Sequence, residues 1–405
     1  IYTGEDTLSL HDALPILVQA GSNINISSAN GNGGFVETSG HVVNIDGNIN
    51  GAAPKGAAGQ WLIDPTNITI STAASSSTIN SSSSWSGGSN ASGVVNNASI
   101  EAALNGGVDV CVTTAGAGSG SGTMSVNANI RKTSGGAANL TLFANGTLTF
   151  NNSTISSNGG GLNATGGAGV VYQGINSLDL GSGNGTISGI GGGGRGFVIE
   201  ASSTTAVLNV SGSGNVVLSG NSTGGKGLHI ADAGQLNYNG TGTLTVTGSS
   251  SATIAWGHGL GIEGINATVN NRGSGTLNVW GTGSATGTST GGVVLYYGAF
   301  LRNSGSGAMN VSGVSTNAAP GITIGIPGGA TGSNVINQGN GTLSITGSSG
   351  GEKGSYVSST SNVTNNGTGV INLMGTGASG YAGIVMESGS LVAIGNGTTT
   401  NLVGN

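Results

Sequence analysis

Charged side chains are what this chain has least of: Lys, Arg, Asp and Glu make up 5% of 405 residues, 8 basic against 14 acidic. So few cations leave no basic stripe, and no aromatic platform stands beside one, so no nucleic-acid partner is expected. A polybasic anchor for an anionic membrane is lacking too, as is any apolar run long enough to span a bilayer. One cysteine, Cys111, excludes an intrachain disulfide. It stands in the strand-like run Val108-Asp109-Val110-Cys111-Val112-Thr113 with no histidine near it in sequence. A small buried or pleat-facing side chain accounts for it better than a catalytic thiol. Prolines number only 5, as a hydrogen-bond ladder that uses nearly every backbone N–H requires.

What is abundant is glycine, 84 residues of it, together with Ser, Thr and Asn. Such a composition alone suggests a disordered low-complexity chain, but the usual companion of disorder, a high net charge, is absent. Periodicity argues against disorder more directly. The unit Gly242-Thr243-Leu244-Thr245-Val246-Thr247-Gly248 brackets a five-residue run whose apolar residues alternate with polar ones, as on a half-buried β-strand. It returns at Gly275–Gly281, Gly307–Gly313, Gly341–Gly347 and Gly369–Gly375, and with blurred alternation at Gly214–Gly220. Its opening glycines are 28 to 34 residues apart.

Each interval holds two further strand-like runs. The second opens on a glycine followed by apolar residues at its first and third positions, as in Gly196-Phe197-Val198-Ile199 and Gly259-Leu260-Gly261-Ile262. The third ends in an asparagine-rich turn, as in Val269-Asn270-Asn271-Arg272-Gly273. Three short strands per period with no helix between them describe one coil of a three-sided solenoid. The fold expected is all-β, a right-handed parallel β-helix. A dozen coils advancing about 4.8 Å each would make a rod of about 50–60 Å.

Residues 1–16 do not follow the pattern. Thr7-Leu8-Ser9-Leu10-His11-Asp12-Ala13-Leu14-Pro15-Ile16 resembles the in-frame translation of a sequencing adapter and is set aside from fold reasoning. With it go Glu5, Asp6 and Asp12, which leaves 8 basic against 11 acidic residues. Coils are expected over 17–71, a projecting Ser/Asn-rich loop over 72–98, and repeats over 99–405.

Within 17–71, Gly33-Gly34-Phe35-Val36-Glu37-Thr38-Ser39-Gly40 leads to Trp61-Leu62-Ile63-Asp64-Pro65. This pair, from Gly34 through Pro65, resembles the filamentous-haemagglutinin-like exoproteins of bacterial two-partner secretion. Ile100–Gly107 and Val126–Gly136 are similar to the segments that often follow, so the resemblance covers roughly 33–160. It implies a surface adhesin of a Gram-negative bacterium, exported by a partner transporter in the outer membrane. Recognition by that transporter belongs to a domain upstream of the signature, and no barrel domain follows the repeats, so the resemblance implies an internal piece of a longer exoprotein. Physically, Trp61 and Ile63 alternate around Leu62 and can enter a core, and Asp64-Pro65 ends a strand. Glu37 and Asp64 are expected to bond turn backbone or to stabilise a junction between coils rather than to form a catalytic pair.

Two columns of side chains follow from the repeat. Four residues after the second-strand glycine stand Gln173, Glu200, Ala231, Glu263, Tyr296, Gly325, Ser358 and Glu387. Alternation turns this position outward. A ligand-facing column of Gln173, Glu200, Glu263, Tyr296 and Glu387 is one reading, and a solvated strand end is the plainer one. Asn271, Asn303, Asn337 and Asn365 each precede a closing glycine by two residues, which suits a ladder of stacked amides. The glycine run before Arg195 lacks the aspartate of a calcium repeat, and runs such as Gly118-Ser119-Gly120-Ser121-Gly122 lack the lysine and following helix of a phosphate loop. His41, His229 and His258 show no metal-ligand spacing, so neither metal nor cofactor is expected.

The functional expectation is a non-catalytic, rigid adhesin fragment that meets a host-cell, glycan or bacterial surface ligand through coil faces and loops. The alternative is a carbohydrate-active β-helix enzyme, a polysaccharide lyase or hydrolase. Such an enzyme needs a groove with several acids and usually Arg or Lys, and charge is scarce here.

Overall fold

A computed structural model describes residues 16–40, 43–73, 93–115, 120–201, 205–252, 256–284, 291–327, 329–394 and 399–405. All but the last residue of the adapter-like stretch, His41, and residues 74–92 of the Ser/Asn-rich stretch lie outside these. The chain divides into two units, Ile1–Gly167 with Asp179–Gly185, and Ala168–Leu178 with Thr186–Asn405. Each is built from coils of a right-handed parallel β-helix. Parallel neighbours ordinarily need a long crossover between them. Here the crossover is the other two strands of the coil.

In the first unit, the first face stacks Phe35–Gly40, Gln60–Pro65, Asp109–Thr113, Leu140–Ala144 and Leu162–Gly166 in chain order. Its second face departs from chain order. Gly93–Asn96 inserts between Val43–Ile45 and Ile68–Ser71. Residues expected in a projecting loop thus include a core strand, and those after it form a helix, Asn97–Asn105, the only helix among the described residues. The Asn96 side chain accepts the Ala98 N–H at 2.8 Å and caps the helix, while Ile100, Ala103 and Leu104 face inward at helical spacing. This helix packs against Asn48–Asn50 on one side and Ile130–Lys132 on the other, where a third-face strand would stand. Ile16 begins the strand Ile16–Val18, which pairs with Val43–Ile45.

The second unit is more regular. On its first face Leu244 and Val246 align with Leu277 and Val279, then with Met309 and Val311, Leu343 and Ile345, and Ile371 and Leu373. All ten are buried. Each such side chain contributes about 1.5–3 kcal/mol, more than the 0.5–1.5 kcal/mol of a typical net hydrogen bond. The apolar columns therefore carry the stability, and the polar ladders fix the corners.

The two glycine signals of the repeat meet at one corner. A Cβ on Gly313, which closes a first-face strand, would lie 2.2 Å from the carbonyl oxygen of Gly321, which opens the next second-face strand. Gly248 and Gly259, and Gly281 and Gly292, repeat the contact at 2.1 and 2.0 Å. Backbone packs directly on backbone there. Only glycine at both positions allows it.

Candidate ligand groove on the second face

The polar groups of the second unit are sorted by face. Among its described residues no first-face strand carries a charge, whereas Arg195, Glu200, Lys226, Glu263, Glu352 and Lys353 all lie on second-face strands or in the corner segments that lead into them. Both described histidines, His229 and His258, join them.

The second-face strands Phe197–Glu200, Leu228–Ala231, Leu260–Glu263 and Val293–Tyr296 bring Glu200, Ala231, Glu263 and Tyr296 into register. The expectation that this column meets solvent needs correction. Glu200 and Glu387 are half-buried, as is Gln173, but Glu263 is 8% exposed and Tyr296 fully buried. These side chains do point away from the core. What covers them is the corner segment from the first face, which lays Lys226, Trp256 and His258 over the strands. Rings of Trp256, His258 and Tyr296 meet edge to face with centroids 5.7 to 6.1 Å apart.

Glu263 is the hub of this layer. Its Oε2 lies 2.5 Å from Lys226 Nζ and 3.5 Å from His229 Nε2, and its Oε1 lies 3.3 Å from His258 Nε2. Gly261 makes this possible. A Cβ there would stand 2.5 Å from Glu263 Oε1, so the carboxylate folds back over the glycine to reach His229 on the preceding coil. Burial pushes the Glu263 carboxyl up, but His229, His258 and Lys226 together outweigh it and hold the group down at about 2. Burial lowers both imidazoles, His258 to about 3. At neutral pH the working pair is therefore Glu263 carboxylate with Lys226 ammonium, flanked by two neutral rings.

Beside this cluster opens a groove of about 600 Å³, lined by Arg195, Glu200, His229, Asp232, Glu263, Gly264, Ile265 and Tyr297 among others. Arg195 Nη1 pairs with Glu200 Oε2 at 2.6 Å across its rim. A second polar group lies farther along the face. The Tyr356 hydroxyl donates to Glu387 Oε1, the Ser359 N–H donates to Oε2 at 2.9 Å, and Lys353 lies over the Tyr356 ring. The hydrogen bond from Tyr356 lowers the Glu387 carboxyl below its ordinary value.

Asn271, Asn303, Asn337 and Asn365 are fully buried and in register on the third face. Asn303 Nδ2 donates to Asn337 Oδ1, and Asn337 Nδ2 to Asn365 Oδ1, each at 3.2 Å. Each amide also donates to the carbonyl four residues on, from Asn271 to Gly275 through Asn365 to Gly369, at 2.9 to 3.5 Å. The ladder thus ties the third-face strand to the next first-face strand. In the first unit, Trp61 and Ile63 are fully buried, and Trp61 Nε1–H donates to Thr38 Oγ1 at 3.0 Å. Ser39 Oγ donates to Glu37 Oε1 at 2.6 Å, Leu62 is half-buried on the outer side, and Gly40 pairs with Pro65 at the strand end. Gly34 accepts the Gln60 N–H at 2.9 Å through its carbonyl. Burial, with the Asp64 charge beside it, raises the half-buried Cys111 thiol above its ordinary value, away from a reactive thiolate.

Lys226, Asp232 and Tyr297 escaped the sequence reading, and His229 and His258 were weighed there only as metal ligands. The available signal was the rarity of charge itself. In a chain this poor in charge, the lack of any charge on the first-face strands of the second unit and the clustering of most of its charges on or beside second-face strands mark a face. No protein-family model matches the chain, and no curated protein is significantly similar to it. Fold and groove define a β-solenoid with a polar cleft on one face.

Proposed function

We propose that this chain is part of a secreted, non-catalytic bacterial surface protein of the adhesin type, which works by presenting its coil faces and loops to a host-cell, glycan or bacterial surface ligand. In this reading an outer-membrane two-partner transporter delivers it to the surface of a Gram-negative cell, through recognition of a domain beyond this chain. The GGFVETSG and WLIDP segments support the family, and the coil fold supports a display role.

The observation that carries the binding role is the gathering of ionisable groups and the exposed Tyr297 around one groove of a charge-poor solenoid. The same groove favours a second reading, a carbohydrate-active enzyme, because a buried carboxylate and imidazole line it. Against catalysis stands the state of those groups. Glu263 is held ionised by Lys226 and its neighbours, so at neutral pH it has no proton to donate as a general acid.

Incubating the purified chain with a panel of insoluble and soluble polysaccharides tests the choice. Retention on a polysaccharide with no new reducing ends and no unsaturated products supports the adhesin reading. Steady release of such products, abolished by Glu263→Gln in a folded variant, establishes the enzyme instead.

A further inference from the structure

We propose that the slot over Gly264 is a saccharide subsite that seats one neutral pyranose ring between Asp232 and Tyr297. This names a ligand class for the groove and rests on the reading of the protein as a binding protein.

The slot is made by the backbone. Asp232, Gly264 and Tyr297 occupy equivalent corners of three successive coils, where the second face turns toward the third. The Asp232 N–H donates to Glu263 O at 2.8 Å, and the Gly264 N–H donates to Tyr296 O at 3.1 Å. All three residues are left-handed, with φ of 55°, 122° and 59°. A Cβ on Gly264 would stand 2.6 Å from both Cα and O of Asp232, so this coil can carry no side chain there. Its neighbours both do. The column of side chains is thus interrupted at Gly264, where backbone packs on backbone, between a carboxylate on one side and an aromatic ring on the other, two coil spacings or about 9.5 Å apart.

The lining selects the occupant. Tyr297 is 43% and Ile265 72% exposed, which gives an apolar surface inside a polar cleft. The exposed Asp232 carboxylate has no hydrogen-bond or ion-pair partner among the described residues. His229 lines the groove, but its Nδ1 is enclosed and makes no hydrogen bond. The exposed Asp232 carboxylate is therefore the free acceptor that the groove offers. Cations are already used, Arg195 by Glu200 and Lys226 by Glu263. An anionic ligand such as phosphate or a uronate would meet Asp232 with no free cation to balance it. A neutral sugar ring matches instead: its C–H face covers the Tyr297 ring while its hydroxyls donate to Asp232.

The test is titration of neutral methyl hexopyranosides into the intact chain, followed by ligand-observed NMR and calorimetry, with choline and inorganic phosphate as comparison probes. Saturable binding of at least one neutral glycoside is expected. Tyr297→Asn keeps a residue that tolerates left-handed backbone and should weaken that binding about tenfold or more, equivalent to about 1.4 kcal/mol. Asp232→Asn should weaken it similarly, Ala233→Trp should block the groove, and Trp280→Ala on the first face should change nothing. Unaltered thermal unfolding of the Ala233→Trp protein guards against loss by misfolding. No saturable binding by any glycoside, or binding that survives all three groove variants, overturns the subsite. So does tighter binding of choline or phosphate, although a protein that still adheres to cells would then keep the adhesin reading. Binding followed by cleavage of a longer glycan would leave the subsite standing and overturn the non-catalytic reading.

Discussion

The carboxylate of Glu263 occupies the space that a side chain on Gly261 would fill, with Oε1 lying 2.5 Å from the position of the absent Cβ. Through that vacancy the Glu263 carboxylate connects Lys226 and His229 on the preceding coil with His258 in the corner segment. Gly261→Ala should displace the carboxylate and destabilise the chain by about 1–3 kcal/mol, as overpacking does. Because φ at Gly261 is not left-handed, the cost reports volume alone. Gly261→Ala combined with Glu263→Ala should cost less than the sum of the two single changes, as chemical denaturation of the four proteins would measure. Strict additivity would show that the two residues do not share the space.

Removing one partner of the Lys226–Glu263 pair should cost more than removing both. Their side chains are 15% and 9% exposed, so Lys226→Met alone leaves a buried carboxylate without its counter-ion. The expected loss is about 3–5 kcal/mol. Lys226→Met with Glu263→Gln should recover much of it. Unfolding midpoints of the two variants check the order.

Acid should destabilise the second unit before ordinary carboxylates titrate. His258 has an ordinary value of 6.5 that burial lowers to about 3 in the folded chain, so between those values the unfolded chain holds the extra proton. Stability from this group is complete above pH 6.5 and is lost as pH falls toward 3. Glu263, lowered from 4.5 to about 2, adds a loss of the same sign below pH 4.5. Urea midpoints should therefore fall steadily from pH 7 to pH 4. In His258→Phe the fall between pH 6.5 and 5 should be shallower. A wild-type midpoint that is flat or rises on acidification would contradict this account of the cluster.

The amide ladder predicts a contrast between two asparagines. Asn337 is fully buried, accepts from Asn303, and donates to Asn365 and to the Gly341 carbonyl. Asn337→Ala strands those partners and should cost about 1–3 kcal/mol. Asn310, whose amide reaches Asn278 on the half-exposed side of the first face, should cost less than about 1 kcal/mol when changed to Ala. Equal effects would mean that the buried ladder is not a corner fastening.

Much of the coil was legible because a parallel solenoid repeats its constraints. Leu244 and Val246 recur in kind every coil since they fill the same narrow core, and Gly248 and Gly259 recur since backbone meets backbone at the corner. Asn337 was legible for the same reason. The helix at Asn97–Asn105 was not, because it occurs once, and a single set of Ile100, Ala103 and Leu104 is lost in a strand-rich pattern. Glu200, Glu263 and Tyr296 do stand in one column, yet alternation reports only which way a side chain points. Whether solvent lies there depends on the corner segments that carry Lys226, Trp256 and His258, whose sequence has no period. Gly261 and Gly264 were invisible for a different reason. Among so many glycines nothing in the sequence distinguishes one that makes room for a carboxylate from one that closes a turn.

The most direct measurement for the central claim is adherence of beads coated with the intact chain to epithelial and bacterial cells. It should compare the unaltered protein with a second-face variant, Asp232→Asn with Tyr297→Asn, and a first-face variant, Trp280→Ala. The account predicts that the second-face variant loses most of its adherence while the first-face variant retains it. Adherence lost only when the first face is altered, or unchanged by both variants, would contradict the assignment of function to the groove.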